Sequence, residues 1–138
     1  MSPVLVDTSF LIAVYDRTDA FHSRCVKAHH EIDNPLVTCE AVIAESLFML
    51  RFVHGAAGAV LASIEQGALE IQFNLGTSAV RVRKLMDKYA DTPASFADAC
   101  LIQMADELDT GDILTLDSDF RHYRWRRNRL FKCLVPLD

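Results

Sequence analysis

Two periods alternate along the chain. Short runs with no helical spacing, Val4–Val6, Leu36–Thr38, Leu69–Phe73, Asp112–Leu116 and Phe131–Val135, are apolar at their centres and bounded by Asp, Gly or Asn-Pro. Such runs predict strands. Between them apolar residues recur every three or four positions. That spacing predicts helices over Thr8–Tyr15, Ala20–Ile32, about Cys39–Phe52, Val60–Gln66, a segment from Thr77, and Ser95 to about Leu108. Asn34-Pro35 stops the second helix, Gly55 and Gly58 bracket a break after the third, and Thr92-Pro93 reads as a loop. Strands separated by helices imply parallel pairing in an α/β layered domain. The apolar strand centres agree, because a parallel sheet is covered on both faces.

Four acids break this pattern. Asp7 follows Val4-Leu5-Val6, and Asp117 closes Ile113-Leu114-Thr115-Leu116. Glu45 interrupts the helix Ala41–Leu50, and Asp98 interrupts Phe96–Ile102. Acidic side chains in apolar surroundings need a partner or a metal. In open α/β sheets ligands bind beyond the carboxyl ends of the strands. Asp7 and Asp117 lie at two such ends, and the helices carrying Glu45 and Asp98 start from the same edge. All four can converge there.

Each acid also has an ordinary reading. Asp7 or Thr8 could cap a helix, Ser95-x-x-Asp98 matches a capping box, and Asp117 and Asp119 could serve a turn. Glu45 has no such role in mid-helix. Two carboxylates ~5 Å apart repel by roughly 3 kcal/mol at an effective dielectric near 20. A shared site therefore needs raised pKa values or a divalent cation. All-oxygen ligands favour Mg²⁺ or Mn²⁺ over zinc, and the chemistry of such a site is phosphate-ester hydrolysis.

Composition narrows the classes. The chain has 138 residues, 51% hydrophobic and 24% charged, which suits one domain spanning 1–138 with a real core. No apolar run reaches the ~20 residues of a membrane helix, and the N-terminus lacks the basic region of a signal peptide. A cytoplasmic location is expected. Cys25, Cys39, Cys100 and Cys133 are scattered and read as reduced thiols. Net charge is −5, yet Phe120–Leu137 contains no acid. Arg121, Arg124, Arg126, Arg127, Arg129 and Lys132 alternate there with His122, Tyr123 and Trp125. This basic, aromatic strip reads as an RNA-positioning surface, in which Arg121, Arg124, Arg126 and Arg127 contact phosphates and Trp125 stacks on an unpaired base. A solvated loop is the plain alternative. Arg81, Lys84 and Lys88 share one face of the fifth helix.

The ordered set Val6-Asp7-Thr8-Ser9, Glu45, Ser95-Phe96-Ala97-Asp98-Ala99 and Thr115-Leu116-Asp117-Ser118-Asp119-Phe120 resembles the PIN domain family, in particular its VapC-type toxin ribonucleases. The resemblance covers essentially the whole chain. It implies an α/β/α sandwich around a parallel sheet of about five strands and a Mg²⁺- or Mn²⁺-dependent endoribonuclease acting on single-stranded RNA. It also implies an antitoxin partner and a homodimer. On this resemblance Asp7, Glu45, Asp98 and Asp117 are the catalytic, metal-holding acids. Asp119 matches a less constant acid, and Thr8 and Thr115 match hydroxyl residues that orient carboxylates. The long arginine strip departs from the pattern.

Other readings fit less well. A haloacid-dehalogenase-type, metal-dependent phosphatase wants Asp-x-Asp after its first strand, whereas Ser9 stands two residues beyond Asp7. A receiver domain wants an acceptor Asp after a middle strand and a Lys after the last. No glycine-rich nucleotide loop occurs. His22, Cys25 and His29, with His30 beside them, could form a zinc face, although surface histidines are commoner. A non-catalytic RNA- or protein-binding module of PIN-like fold is the remaining alternative.

Overall fold

A computed structural model describes residues 1–92 and 94–136. Pro93, half of the expected Thr92-Pro93 loop, and Leu137 at the end of the basic strip lie outside the described residues. The chain order is β1 (Val4–Val6), α1 (Thr8–Tyr15), α2 (His22–Glu31), β2 (Leu36–Thr38), α3 (Glu40–Met49), α4 (Ala56–Glu65), β3 (Leu69–Ile71), α5 (Leu75–Lys88), α6 (Phe96–Leu108), β4 (Asp112–Leu114), a 3₁₀ turn (Ser118–Arg121), β5 (Arg124–Trp125), β6 (Arg129–Leu130) and β7 (Lys132–Cys133).

Five strands form one parallel sheet in the order β3-β2-β1-β4-β7. β1 is central, pairing Val4 with Leu36 on one side and Leu5 with Ile113 on the other. Its three residues are buried, as the unbroken Val-Leu-Val run requires. From β1 the chain steps outward to β2 and β3, then crosses back to β4. Right-handed crossovers put α1–α4 on one face and α5–α6 on the other. Packing agrees: α1 meets α2, α3 and α4, while α5 packs on α6. The result is the expected three-layer sandwich. The reversal of direction between β1 and β4 is a topological switch point, where open α/β sheets bind ligands.

The expected elements form, with shifted ends. α2 starts at His22 rather than Ala20, because Asp19 closes a turn by accepting the Phe21 and His22 amides. α3 stops at Met49. α4 begins at Ala56 and runs through Gly58, so only Gly55, at φ 78°, marks the break. α5 starts at Leu75 instead of Thr77. β3, β4 and β7 are shorter than their apolar runs.

The antiparallel hairpin β5–β6 is not foreseen by the pattern. Arg126 and Arg127 turn it with φ of 43° and 73°, values ordinary residues adopt reluctantly. Trp125 anchors it from inside. Its indole packs so closely on Gly111 that a methyl group there would collide with the ring, and its Nε1 donates to the Leu130 carbonyl at 3.2 Å.

Candidate active site

Asp7 leaves β1 at the switch point, its amide donating to the Leu114 carbonyl of β4 at 3.0 Å. It caps α1, with Oδ1 accepting from the Thr8 amide at 2.8 Å. Oδ2 accepts from Thr115 Oγ1 at 2.7 Å and Ser9 Oγ at 3.1 Å. Thr115 also accepts the Asp117 amide at 2.9 Å, and Ser9 accepts the Leu116 amide at 2.9 Å. Two hydroxyls, the buried Thr115 and the half-buried Ser9, thus tie the ends of β1 and β4 together around one carboxylate.

The remaining acids arrive from three directions. Glu45 stands about one and a half turns into α3, where Oε1 accepts from Thr8 Oγ1 at 2.8 Å. Asp98 lies in the first turn of α6, in a complete capping box with Ser95, and Oδ2 also accepts from Tyr123 Oη at 3.0 Å. Asp117 caps the 3₁₀ turn, with Oδ1 accepting the Asp119 amide at 2.9 Å. Capping and convergence therefore coexist: in Asp98 and Asp117 the cap uses one oxygen and leaves the other without a protein donor. Glu45 Oε2, Asp98 Oδ1 and Asp117 Oδ2 accept no protein hydrogen bond among the described residues.

A cleft of about 720 Å³ is lined by Asp7, Thr8, Ser9, Ile12, Ala44, Glu45, Phe48, Met49, Ser95, Asp98 and Asp117. No Lys, Arg or His lines it, and none of the four acids forms an ion pair among the described residues. Asp7 and Asp98 are buried, Asp117 is half-buried, and Glu45 is exposed on the cleft wall. Burial pushes the Asp7 carboxyl from 3.8 up to about 6; the Thr115 bond opposes the rise and the Asp98 charge adds to it. Burial likewise raises Asp98, against the Tyr123 bond and with a further push from Asp117. The Tyr123 hydroxyl is raised by its own burial and by Asp98, so it remains a donor at neutral pH.

Oxygen ligands without thiolate or imidazole suit a hard divalent cation. Glu45, Asp98 and Asp117 each keep one oxygen free of protein hydrogen bonds among the described residues, whereas both Asp7 oxygens are engaged by neutral donors; this donor set fits the same ion. Among the described residues no three His, Cys, Asp or Glu side chains are already closed around a point. The acids share a cleft, not a cage. On α2 the ordinary reading of the histidines fits: Cys25 is buried, and His22 Nδ1 lies 2.7 Å from the Ala13 carbonyl. Cys25, Cys39, Cys100 and Cys133 are free thiols.

Asp119 and Thr115 are not among the cleft-lining residues; Thr115 donates to Asp7, and the Asp119 amide donates to Asp117. The basic strip does not gather at the cleft. Trp125 is buried and offers no face to a base. Arg124 donates to the carbonyls of Arg121, His122 and Tyr123. Arg126 is held by Asp106 and Asp109, at the opposite end of α6 from Asp98, and Arg127 sits beside it on the hairpin tip. Eleven residues of helix separate Asp98 from Asp109, about 16 Å. The strip reading overlooked that β5 turns Trp125 inward while the hairpin carries Arg126 to the far end of α6. Only Arg121, in the 3₁₀ turn after Asp117, stays near the carboxylate edge. Sequence reasoning also missed Ser9 and the role of Tyr123. Ser9, two residues beyond Asp7, carried a signal in its short reach to that carboxylate; Tyr123 was hidden among the arginines.

Comparison with known proteins agrees with this geometry. A PIN domain family model matches residues 4–126. Ribonuclease VapC26 of Mycobacterium tuberculosis is 31% identical over 123 residues, covering 87% of this chain and 89% of the relative. The crystal structure of VapC20 from Mycobacterium tuberculosis, described as a Sarcin-Ricin loop cleaving toxin, aligns with a TM-score of 0.77 over 84% of this chain and 91% of its own, at 20% identity. That second likeness speaks for the fold. The family match from β1 to the hairpin, with a relative aligned over most of both lengths, shows that the chain belongs to the PIN domain family.

Proposed function

We propose that this chain is a divalent-metal-dependent endoribonuclease that cleaves single-stranded RNA, the toxin of a toxin–antitoxin pair. The observation that carries this reading is a cleft lined by four carboxylates and no cation, each fixed by a hydrogen bond. Kinship with a VapC ribonuclease supplies the reaction class.

Asp7, Glu45, Asp98 and Asp117 hold Mg²⁺ or Mn²⁺, and all four are catalytic. When bound, the cation activates water and stabilises charge on the phosphate. Thr115 and Ser9 orient Asp7, Thr8 orients Glu45, and Tyr123 orients Asp98. Asp119 supports Asp117 through its amide. Phe48 and Met49 give the acid cleft an apolar wall against which an unpaired base can lie. Arg121, at the end of the 3₁₀ turn that Asp117 caps, contacts a phosphate of the bound strand in this reading. Among the described residues no helix is long and apolar enough to cross a membrane. We assign the chain to the cytoplasm as a single domain over 1–138, as a homodimer and with a protein antitoxin as inhibitor.

The test is cleavage of unstructured RNA with its end groups identified. Attack by water leaves 5′-phosphate and 3′-hydroxyl ends, EDTA abolishes cleavage, and Mn²⁺ or Mg²⁺ restores it. A 2′,3′-cyclic phosphate would refute the water mechanism. Absent cleavage and absent metal binding would return the chain to the class of non-catalytic binding modules.

A further inference from the structure

The α5 face Arg81, Lys84 and Lys88 plays no part in the site described so far. All three side chains are exposed, as is Arg83 beside them. None forms an ion pair among the described residues, and Asp87 is the one acid in the helix. A favourable interaction with the helix dipole accounts for Lys88 in the last turn, but not for Arg81 or Lys84.

The buried flank of α5 fixes where this row leads. Ser78, near the start of α5, donates to Glu107 near the end of α6 at 2.6 Å. Tyr89, just past the end of α5, packs edge-on against Tyr123 with centroids 5.0 Å apart. Tyr123 in turn donates to Asp98. Through Tyr89 and Tyr123 the C-terminal end of α5 reaches the carboxylate edge. Lys88 Nζ lies 5.2 Å from the Tyr89 ring, and the Tyr89 hydroxyl accepts the Arg124 amide at 2.9 Å. Lys88, Tyr89, Tyr123 and Asp98 are therefore successive neighbours. From Lys88 the cations recede along the helix for about 10 Å to Arg81.

A carboxylate cleft repels every phosphate except the one its cation holds. A strand crossing it needs compensating charge outside, and this row begins two side chains away from Asp98, beyond Tyr89 and Tyr123. We infer that Arg81, Lys84 and Lys88 form a track for the sugar–phosphate backbone of single-stranded RNA, several nucleotides from the cleaved bond. This rests on the ribonuclease reading above. An acidic protein segment would meet the same charge, but the short distance to the carboxylate edge, spanned by Tyr89 and Tyr123, favours the strand that must also enter the cleft.

The experiment uses Glu45→Gln protein with Mg²⁺, so that RNA binds without being cut. Affinity for a long unstructured RNA and for a trinucleotide is measured across salt. Adding Arg81→Ala, Lys84→Ala and Lys88→Ala lowers the magnitude of the salt slope for the long RNA by about 2, near 0.7 per lost phosphate contact. Affinity for the long RNA falls roughly tenfold or more, while the trinucleotide loses none. Arg81→Lys retains the slope. An unchanged slope overturns the track. An equal loss on the trinucleotide also overturns it, because the residues would then act in the cleft. If Glu45→Gln protein binds neither RNA, the RNA reading of the cleft fails and takes the track with it. If it binds both and the triple variant changes nothing, the track alone fails.

Discussion

Helix α6 carries acids at both ends, and they are treated in opposite ways. At the C-terminal end Asp109 is 61% exposed and pairs with Arg126 at 2.9 Å, while Asp106 accepts the Arg126 amide. At the N-terminal end Asp98 is 8% exposed and has only neutral donors around it, with Asp117 raising its pKa. An exposed pair of the first kind contributes at most about 1 kcal/mol. A buried acid without a cation costs stability until an ion arrives. The difference separates two kinds of acid: Asp109 is neutralised by the protein and reads as structural, and Asp98 is left without a cation and is the one proposed to meet a ligand.

The largest expected effect separates these two ends directly. Asp98→Asn should lower RNA cleavage at least about a thousandfold, or ~4 kcal/mol of barrier, with the fold retained because the amide keeps the shape of the capping box. Asp109→Asn should leave cleavage within a factor of two or so. Comparable losses in both variants would erase the distinction.

The second effect is on stability. In metal-free protein Asp7 titrates near 6 when folded and near 3.8 when unfolded. Between those values the folded state holds more protons, so stability falls as pH rises through the window, by roughly 3 kcal/mol. Asp98 adds to the same trend. Urea unfolding of wild type and Asp7→Asn across pH 4–7 isolates the contribution: the variant should gain on wild type as pH rises. A constant difference between the two would contradict the unpaired, buried state of Asp7.

Thr115→Val tests the hydroxyl that joins the two strand ends. It removes a donor to Asp7 and an acceptor for the Asp117 amide. Metal affinity or turnover should drop tenfold to a hundredfold, the usual cost of losing a residue that orients a ligand. Calorimetric titration with Mn²⁺ would register it, and an unchanged affinity would show that Asp7 needs no such support. The smallest effect belongs to the other end of α6. Arg126→Ala should cost under about 1 kcal/mol by thermal denaturation, without changing cleavage.

The sheet and its helices were legible because burial imposes a period. Val4–Val6 could only be a covered strand, and the apolar spacing of α6 survives the insertion of Asp98. The quartet was legible for the complementary reason, as charge placed where burial would forbid it. Glu45 is the instructive exception: it interrupts an apolar stretch, yet the structure leaves it exposed, because Ala44, Phe48 and Met49 form the cleft wall rather than core. The hairpin after Phe120 was not legible. Its strands are two residues long, too short for any period, and its turn uses arginines at positive φ where Asn or Gly would have announced it. Trp125 and Tyr123 were consequently read as surface, although one fills the space over Gly111 and the other holds Asp98.

The central claim is that the four carboxylates are one divalent-cation site. Its most direct test is the melting temperature of wild type, Asp98→Asn and Asp109→Asn at neutral pH, with EDTA and with Mn²⁺ at about a hundred times its dissociation constant. Binding to the folded state alone adds about 2.7 kcal/mol, which for a chain of this size is a rise of roughly 5–10 °C. The account predicts that rise in wild type and in Asp109→Asn, and little or none in Asp98→Asn. Melting of wild type indifferent to Mn²⁺, or an equal rise in Asp98→Asn, would contradict it.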